Sequence, residues 1–323
     1  LRIRLPLLLI PFIFYVNFKI INFRLLLKIY VSVVILVATF TIFNSLYSIH
    51  LNNNSLEIYL TSYTRFFYIS FMPYEMHPSY YGMFLCSSIA VLLNNNIFKL
   101  NLTILFCAIL FFNVYMISAQ MSTFICVALV GYFFLKQVEI FFGRIFFRTI
   151  LVIGTLLILL LYFNAKLVTK TTVMTLNIEN KSNILYRVPH FFKHGDITRR
   201  KNWVSACHVI NKNIMLGVGI GDGVNEMQMF REKGSWIYNS RLNAHNQYLE
   251  EFVHFGLLGF ICVTSFLSIL VYFSKENMFY NSILFVILFS MITESILNRQ
   301  VGAMLFSFLL CFPIFEKVKT LAK

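Results

Sequence analysis

Charge is what this sequence has least of. Of 323 residues, 12% are Asp, Glu, Lys or Arg, against roughly 25% in soluble domains. With 59% hydrophobic residues and a mean hydropathy of +0.74, too little polar side chain is present to cover a water-soluble globule. Alternation is missing as well: no series of short segments switches polarity residue by residue, which excludes a transmembrane barrel. Cysteine gives no disulfide framework or metal ribbon, because Cys86, Cys107, Cys126, Cys262 and Cys311 lie inside apolar runs and Cys207 alone lies in a polar segment. Acids are scarce and the seven His show no ligand spacing, so neither a metal site nor a cofactor is expected.

What is present is Phe, 37 residues of it, and long apolar stretches that recur along the chain. Stretches of this kind are what helices need to cross a hydrocarbon core about 30 Å thick. The fold class read from them is an all-α, polytopic membrane helix bundle. About nine spans are expected, near 5–18, 29–49, 78–93, 98–117, 121–135, 147–163, 247–272, 278–294 and 301–315. One helix from Leu100 to Leu135 would be about 54 Å long, so the chain is expected to fold back there, with the polar patch Ser118, Ala119, Gln120 and Ser122 as the turn. The chain starts at Leu1 without Met, which predicts residues upstream of it.

The 27 Lys and Arg outnumber the 13 Asp and Glu, a formal charge of +14. No RNA- or DNA-binding motif accompanies them, so a nucleic-acid partner is not expected. Their placement follows the positive-inside bias of short loops. With Lys19, Arg24 and Lys28 on the cytoplasmic side, so are Lys99, Lys136, Arg144, Arg148, Lys275, Lys317, Lys319 and Lys323, against Arg65 and Arg299 in short outer loops. That divides the chain into an N-terminal bundle, 1–163, a large helical periplasmic loop, 164–246, and three C-terminal helices with a cytoplasmic tail, 247–323. The loop carries twelve basic and five acidic residues, a net +7, and long loops translocate largely regardless of charge. Such an excess calls for an anionic partner, lipid headgroups or a lipid-linked phosphate.

Within the loop, Trp203, Ala206, Cys207 and Ile210 recur at helical spacing, predicting an amphipathic helix that docks this face on apolar surface. Gly217-Val-Gly-Ile-Gly-Asp-Gly223 lacks the βαβ context of a dinucleotide loop. It reads either as a turn whose amides approach a ligand or as a close-packed loop. His245 stands where the loop re-enters the bundle, and imidazole suits general-base work near neutral pH; the other reading is an interfacial structural His. Arg65, His77, Arg199 and Arg200 lie on the same outer side, where guanidinium groups can hold a diphosphate or contact headgroups. Glu294 and Arg299 either pair with each other or touch substrate, since a carboxylate this deep is costly. His208 and His254 are expected to be structural.

In their order these elements resemble the bacterial O-antigen ligase and O-antigen polymerase family. The residues that carry the likeness are Arg199 four before Trp203, Asn213 to Gly221, His245-Asn-Gln-Tyr-Leu-Glu250 with Phe255 to Gly259, Arg65 with Met76 to Gly82, and Glu294 to Gly302. The sequence departs from the family at Ile214, where Pro is usual, and at Ala119-Gln120 after Ser118, where Ser-Arg is frequent, so no basic substrate contact is carried over to that hairpin. The family has further spans upstream. The resemblance implies a metal-independent membrane glycosyltransferase of the bacterial inner membrane. Its donor would be an undecaprenyl-diphosphate-linked glycan, its acceptor a sugar hydroxyl of lipid A core or a growing polysaccharide, and its site would face the periplasm. It further implies that His245 deprotonates the acceptor and that Arg199, Arg65 and Arg200 hold the diphosphate. Asn246, Trp203, His77, Glu294 and Arg299 would support them. Arg199 and His245 are then expected in one site despite their separation. The alternative class is a transporter or flippase for a lipid-linked or anionic solute, which would place charges through the span interiors.

Overall fold

The computed structural model describes residues 3–17, 19–51, 71, 76–117, 119–137, 197–274 and 277–321, and these are helical without a strand. The helices are α1 (Pro6–Asn17), α2 (Phe23–Leu51), α3 (Pro78–Asn94), α4 (Leu100–Ile117) and α5 (120–137), then α6 (Ile197–Lys212), α7 (Gly223–Gln228), α8 (Trp236–Asn239), α9 (Gln247–Ser274), α10 (Met278–Thr293) and α11 (Gln300–Leu321). A 3-10 turn, Ile296–Asn298, joins α10 to α11. Helices occupy eight of the expected stretches, and 147–163 lies outside the described residues, as does 164–196 of the expected loop. Three of them, α2, α4 and α9, are long and apolar enough to cross a membrane, while α1, α10 and the first half of α11 are shorter apolar helices.

The bundle is built around α3, which packs on α2, α4, α10 and α11. Every residue of α3 from Tyr80 to Leu92 except Phe84 is buried, and its small residues are why. Gly82 leaves room for the Ser122 side chain, where a Cβ would collide with it, and the Cys86 thiol donates to the Ser122 carbonyl at 3.3 Å. Small side chains at such crossings let helix backbones approach where no hydrophobic force separates lipid from protein. Polar side chains stitch the same seams: Tyr30 Oη and Ser87 Oγ lie 2.6 Å apart between α2 and α3. Tyr81 Oη donates to Asn113 Oδ1 at 3.0 Å, and Asn113 Nδ2 donates to the Ala38 carbonyl at 3.3 Å. Large apolar side chains such as Leu36, Phe43, Ile104, Phe266 and Tyr272 point outward, as they do on a surface solvated by lipid. The expected fold-back also holds, with α4 ending at Ile117 and α5 under way by residue 120.

A smaller unit rests on the start of α9. There α6, α7 and α9 close over Ala206, Val209, Ile210, Met227, Ala244 and Val253. The buried face of α6 differs from the expected one: Asn202, Ser205, Ala206, Val209 and Ile210 turn inward, Trp203 is half-buried and Cys207 is exposed. The inward face still meets an apolar cluster with Met227 and Val253, and Ser205 turns its hydroxyl back onto the Lys201 carbonyl of its own helix at 2.9 Å.

Helix α9 is interrupted at Gly256, whose φ of 62° and ψ of −157° leave the helical region. The glycine-rich loop fills the break. Leu257 N donates to the Ile214 carbonyl at 2.7 Å, Val218 N to Val253 O at 2.9 Å and Gly219 N to His254 O at 2.9 Å. At Gly217, with φ of 68°, a Cβ would meet the Gly256 amide at 2.6 Å, and Gly223 backs onto the His254 ring. Of the two readings of this loop the structure takes the close-packed one: the amides of 218 and 219 bind the α9 backbone.

Candidate functional site

The site begins with the ends of helices. His77 is the N-cap of α3, Pro78 follows at the first helical position, where its missing N–H costs nothing, and Ser79 stands in the first turn. Glu294 ends α10 in an extended conformation. Arg199 lies in the first turn of α6. His245 precedes α9 with φ of 49°, an uncommon state for a residue with a Cβ. Its amide donates to Asn243 Oδ1 at 3.1 Å, and Asn246 Oδ1 caps the helix by accepting from Leu249 N at 3.1 Å.

These four segments converge on one carboxylate. Glu294 is 5% exposed; its Oε1 accepts from Arg199 Nη2 at 3.2 Å and Ser79 Oγ at 3.0 Å, and its Oε2 lies 3.2 Å from His245 Nδ1. His77 Nδ1 stands 3.9 Å from Oε1. Arg199 Nε also donates to the Thr293 carbonyl at 3.2 Å, which satisfies a carbonyl at the C-terminus of α10 and places a cation at the negative end of the helix. Burial by itself would raise the Glu294 carboxyl. The hydrogen bond and charge of His245, with His77 and Arg199, outweigh burial and hold it at about 2. Burial pushes the His77 imidazole down; the Glu294 carboxylate pulls it up without overcoming this, and His245, Arg199 and Arg299 add to the lowering. Neutral His77 then uses Nδ1 to accept from Ser79 N, at 3.4 Å.

An ionised carboxylate can only accept, so in the neutral imidazole the Glu294 contact assigns the His245 proton to Nδ1 and leaves the lone pair on Nε2. An imidazole oriented in this way by a third group is an arrangement that suits general-base chemistry.

The structure brings together Arg199, His245, Glu294 and His77 of the residues singled out from the sequence. Asn246 caps a helix beside them. Trp203 lies one turn along α6 with its indole N–H buried and without a hydrogen-bond partner among the described residues. Arg200 and Arg299 are exposed, and Arg299 is near enough to act on His77. Among the described residues the hydrogen-bond partners of Glu294 are Arg199, His245 and Ser79, so the Glu294–Arg299 pair considered from sequence does not form. Arg65 lies outside the described residues. Sequence reasoning missed Ser79, whose one signal is its place just after Pro78 at a helix start. His208 stacks on Phe230, and His254 is buried with its Nε2 3.5 Å from Glu250.

Residues 105–264 match the family model described as O-antigen ligase. This match, over just under half of the chain, supports the O-antigen ligase/polymerase family. It supports a membrane glycosyltransferase of the O-antigen ligase family, and the transporter alternative is not favoured. The match takes in Arg199, Trp203, His245 and Asn246; His77, Ser79, Glu294 and Arg299 fall outside it and join the site through the fold. No curated protein matches the chain.

Proposed function

We propose that this protein transfers a glycan from an undecaprenyl-diphosphate-linked donor to a sugar hydroxyl, of lipid A core or of a growing polysaccharide, at the periplasmic face of a bacterial inner membrane. The observation that carries the reading is the His245–Glu294 pair, which leaves one imidazole nitrogen basic beside a cluster of cations. In this reading Nε2 of His245 takes the proton of the acceptor hydroxyl as its oxygen bonds to the anomeric carbon. The bond from that carbon to the diphosphate oxygen breaks, and undecaprenyl diphosphate leaves with the electron pair. Diphosphate is a good leaving group once guanidinium groups neutralise it, so positioning and one base suffice, without metal or nucleotide. Arg199, Arg200 and Arg65 take the diphosphate, and Arg299, which acts on His77, supports them. Arg199 has a second task, since two of its N–H groups already hold Glu294 and the end of α10. The nine-span topology, with the bundle 1–163, the periplasmic loop 164–246 and the C-terminal helices 247–323, belongs to the same proposal.

The test is transfer of labelled glycan from a lipid-linked donor in proteoliposomes supplied with lipid A core or glycan acceptor. Label joined to acceptor, with release of undecaprenyl diphosphate, is expected. Label that crosses the bilayer without forming a glycosidic bond would overturn the reading in favour of transport.

A further inference from the structure

Five residues beyond His245, in the first turn of α9, stands a carboxylate that the site above does not use. Glu250 is 1% exposed. Its Oε2 accepts the Ala244 N–H at 2.8 Å and faces Ser295 Oγ at 3.4 Å; its Oε1 accepts from Asn298 Nδ2 at 2.8 Å and lies 3.5 Å from His254 Nε2. Ala244 is the residue before His245, and Ser295 is the residue after Glu294. One buried side chain therefore holds both chain segments that present the catalytic pair.

Those segments need holding. His245 has a left-handed backbone, and Glu294 is extended, its N–H closing the last helical bond of α10 on the Ser290 carbonyl at 3.0 Å before the chain leaves the helix. The ties around Glu250 are themselves fixed. Asn298 Oδ1 accepts from Arg4 Nη2 at 3.0 Å, which turns its amide nitrogen toward Glu250. Gln247 Oε1 accepts from Leu297 N at 2.7 Å, and Gln247 Nε2 donates to Glu251 Oε1 at 2.7 Å. Arg4 Nη2 closes the network on Glu251 Oε1 at 3.0 Å. Buried networks of this kind are rigid when every member is satisfied.

We propose that Glu250 is a positioning residue for transfer: it ties the backbone before His245 to the turn after Glu294 and so sets the imidazole–carboxylate contact that aims Nε2 at the acceptor. The proposal rests on the transferase reading. Its rival is a purely local role, a carboxylate stabilising the start of α9, which would change the amount of folded protein without changing the turnover of what folds.

Glu250→Gln separates the two. The amide oxygen can still accept from Ala244 N–H, but the new N–H₂ meets Asn298 Nδ2, donor against donor. Asn298 cannot flip without losing Arg4. In proteoliposomes with labelled undecaprenyl-diphosphate-linked glycan, kcat is expected to fall about 10- to 100-fold, the scale of a displacement near 1 Å. The donor KM should stay within about twofold. In a Glu294→Gln background the same substitution should add little further loss, because both act through one contact. If Glu250→Gln does not accumulate, Asn298→Ala cuts the tie on the Glu294 side and carries the same two expectations. Transfer by the wild type together with an unchanged kcat in folded variants, or losses that multiply in the double variant, would overturn the positioning role alone. A wild-type protein inert toward every lipid-linked donor would overturn the transferase reading and the positioning role with it.

Discussion

His245 and Glu294, 49 residues apart, meet at 3.2 Å between Nδ1 and Oε2, the imidazole from a left-handed turn and the carboxylate from the end of a helix. Neither residue can do much alone in this setting. A buried carboxylate is costly without cations around it, and an imidazole without a fixed tautomer is an indifferent base. Together, with Arg199 and Ser79 on the other carboxylate oxygen, each meets the requirement of the other.

Substituting the base tests this directly. His245→Ala should lower turnover by about 10²- to 10⁴-fold, the range of a general base, with donor binding largely retained because the imidazole acts on the acceptor. Full turnover at saturating donor and acceptor would return His245 to the interfacial structural reading. Membrane abundance of the variant, measured alongside, keeps the comparison valid.

Glu294 gives a pH expectation of definite sign. Its carboxyl is held at about 2, below the ordinary 4.5. Its ion pairs therefore contribute to stability in full above the ordinary carboxyl value, and that contribution is lost as pH falls through about 2. At assay pH the group keeps one charge state and adds no inflection to the rate profile. Glu294→Gln should lower kcat by at least about tenfold through loss of the fixed tautomer, without removing a titration step from the kcat profile. An acid limb that disappears in Glu294→Gln would show that the carboxyl titrates and that the assignment of the proton to Nδ1 is wrong.

Much of the fold was legible because helix length and apolar runs speak for themselves: α2, α4 and α9 follow from sequence with errors of a few residues at their ends. Which helix is buried was not legible. The buried α3 and the outward-facing α2 are similarly apolar, and where lipid replaces water hydrophobicity does not mark the inner face. Small residues do, and Gly82 against Ser122 is the mark for α3. The phase of α6 was misread at Cys207, because an apolar stripe was assumed where Asn202 and Ser205 are buried. Glu294 is recognisable in the sequence as a costly carboxylate, but its cation, Arg199, stands 95 residues away, where no local spacing reports the pair.

Arginine 199 is expected to resist conservative replacement. Its Nε and Nη2 reach two acceptors, the Thr293 carbonyl and Glu294 Oε1, and an ammonium keeps the charge without the fork. Arg199→Lys should lower kcat/KM by about tenfold or more, the value of one lost charge-assisted hydrogen bond, and weaken donor binding as well. Unchanged donor binding would remove Arg199 from the diphosphate and leave it as the partner of Glu294.

The contact between the glycine-rich loop and the break in α9 makes opposite predictions for its glycines and for Gly221. Gly256→Ala and Gly217→Ala each force a Cβ onto a backbone with φ near 62° and 68° and into the facing strand of loop or helix. Each should cost about 1–3 kcal/mol from backbone strain alone, read as lower melting temperature and abundance. At Gly221 a Cβ meets nothing within 4 Å, so Gly221→Ala should leave stability and transfer unchanged. A turn that cradled a ligand would instead lose donor binding in Gly221→Ala at normal abundance, and that result would reject the brace between loop and α9.

Topology can be read from the protein's own cysteines. Cys86, Cys107, Cys126 and Cys311 are buried, and Cys207 and Cys262 are exposed. Cys262 lies in the apolar stretch of α9 beside outward-facing Ile261 and Phe266, where surrounding lipid would keep a water-soluble reagent from its thiol. Cys207, on the outer side of α6, is then the one thiol among the described residues within reach of water and reagent. If the unit that carries Arg199 lies outside the cytoplasm, a membrane-impermeant maleimide added to intact spheroplasts should label a single site, and Cys207→Ser should abolish the label. Because Arg199 and Cys207 share one helix two turns apart, the compartment of the thiol is the compartment of the Arg199–Glu294–His245 cluster. Labelling only after the inner membrane is permeabilised would place α6 inside the cell, and the proposed meeting of a periplasmic acceptor with His245 would fail with it.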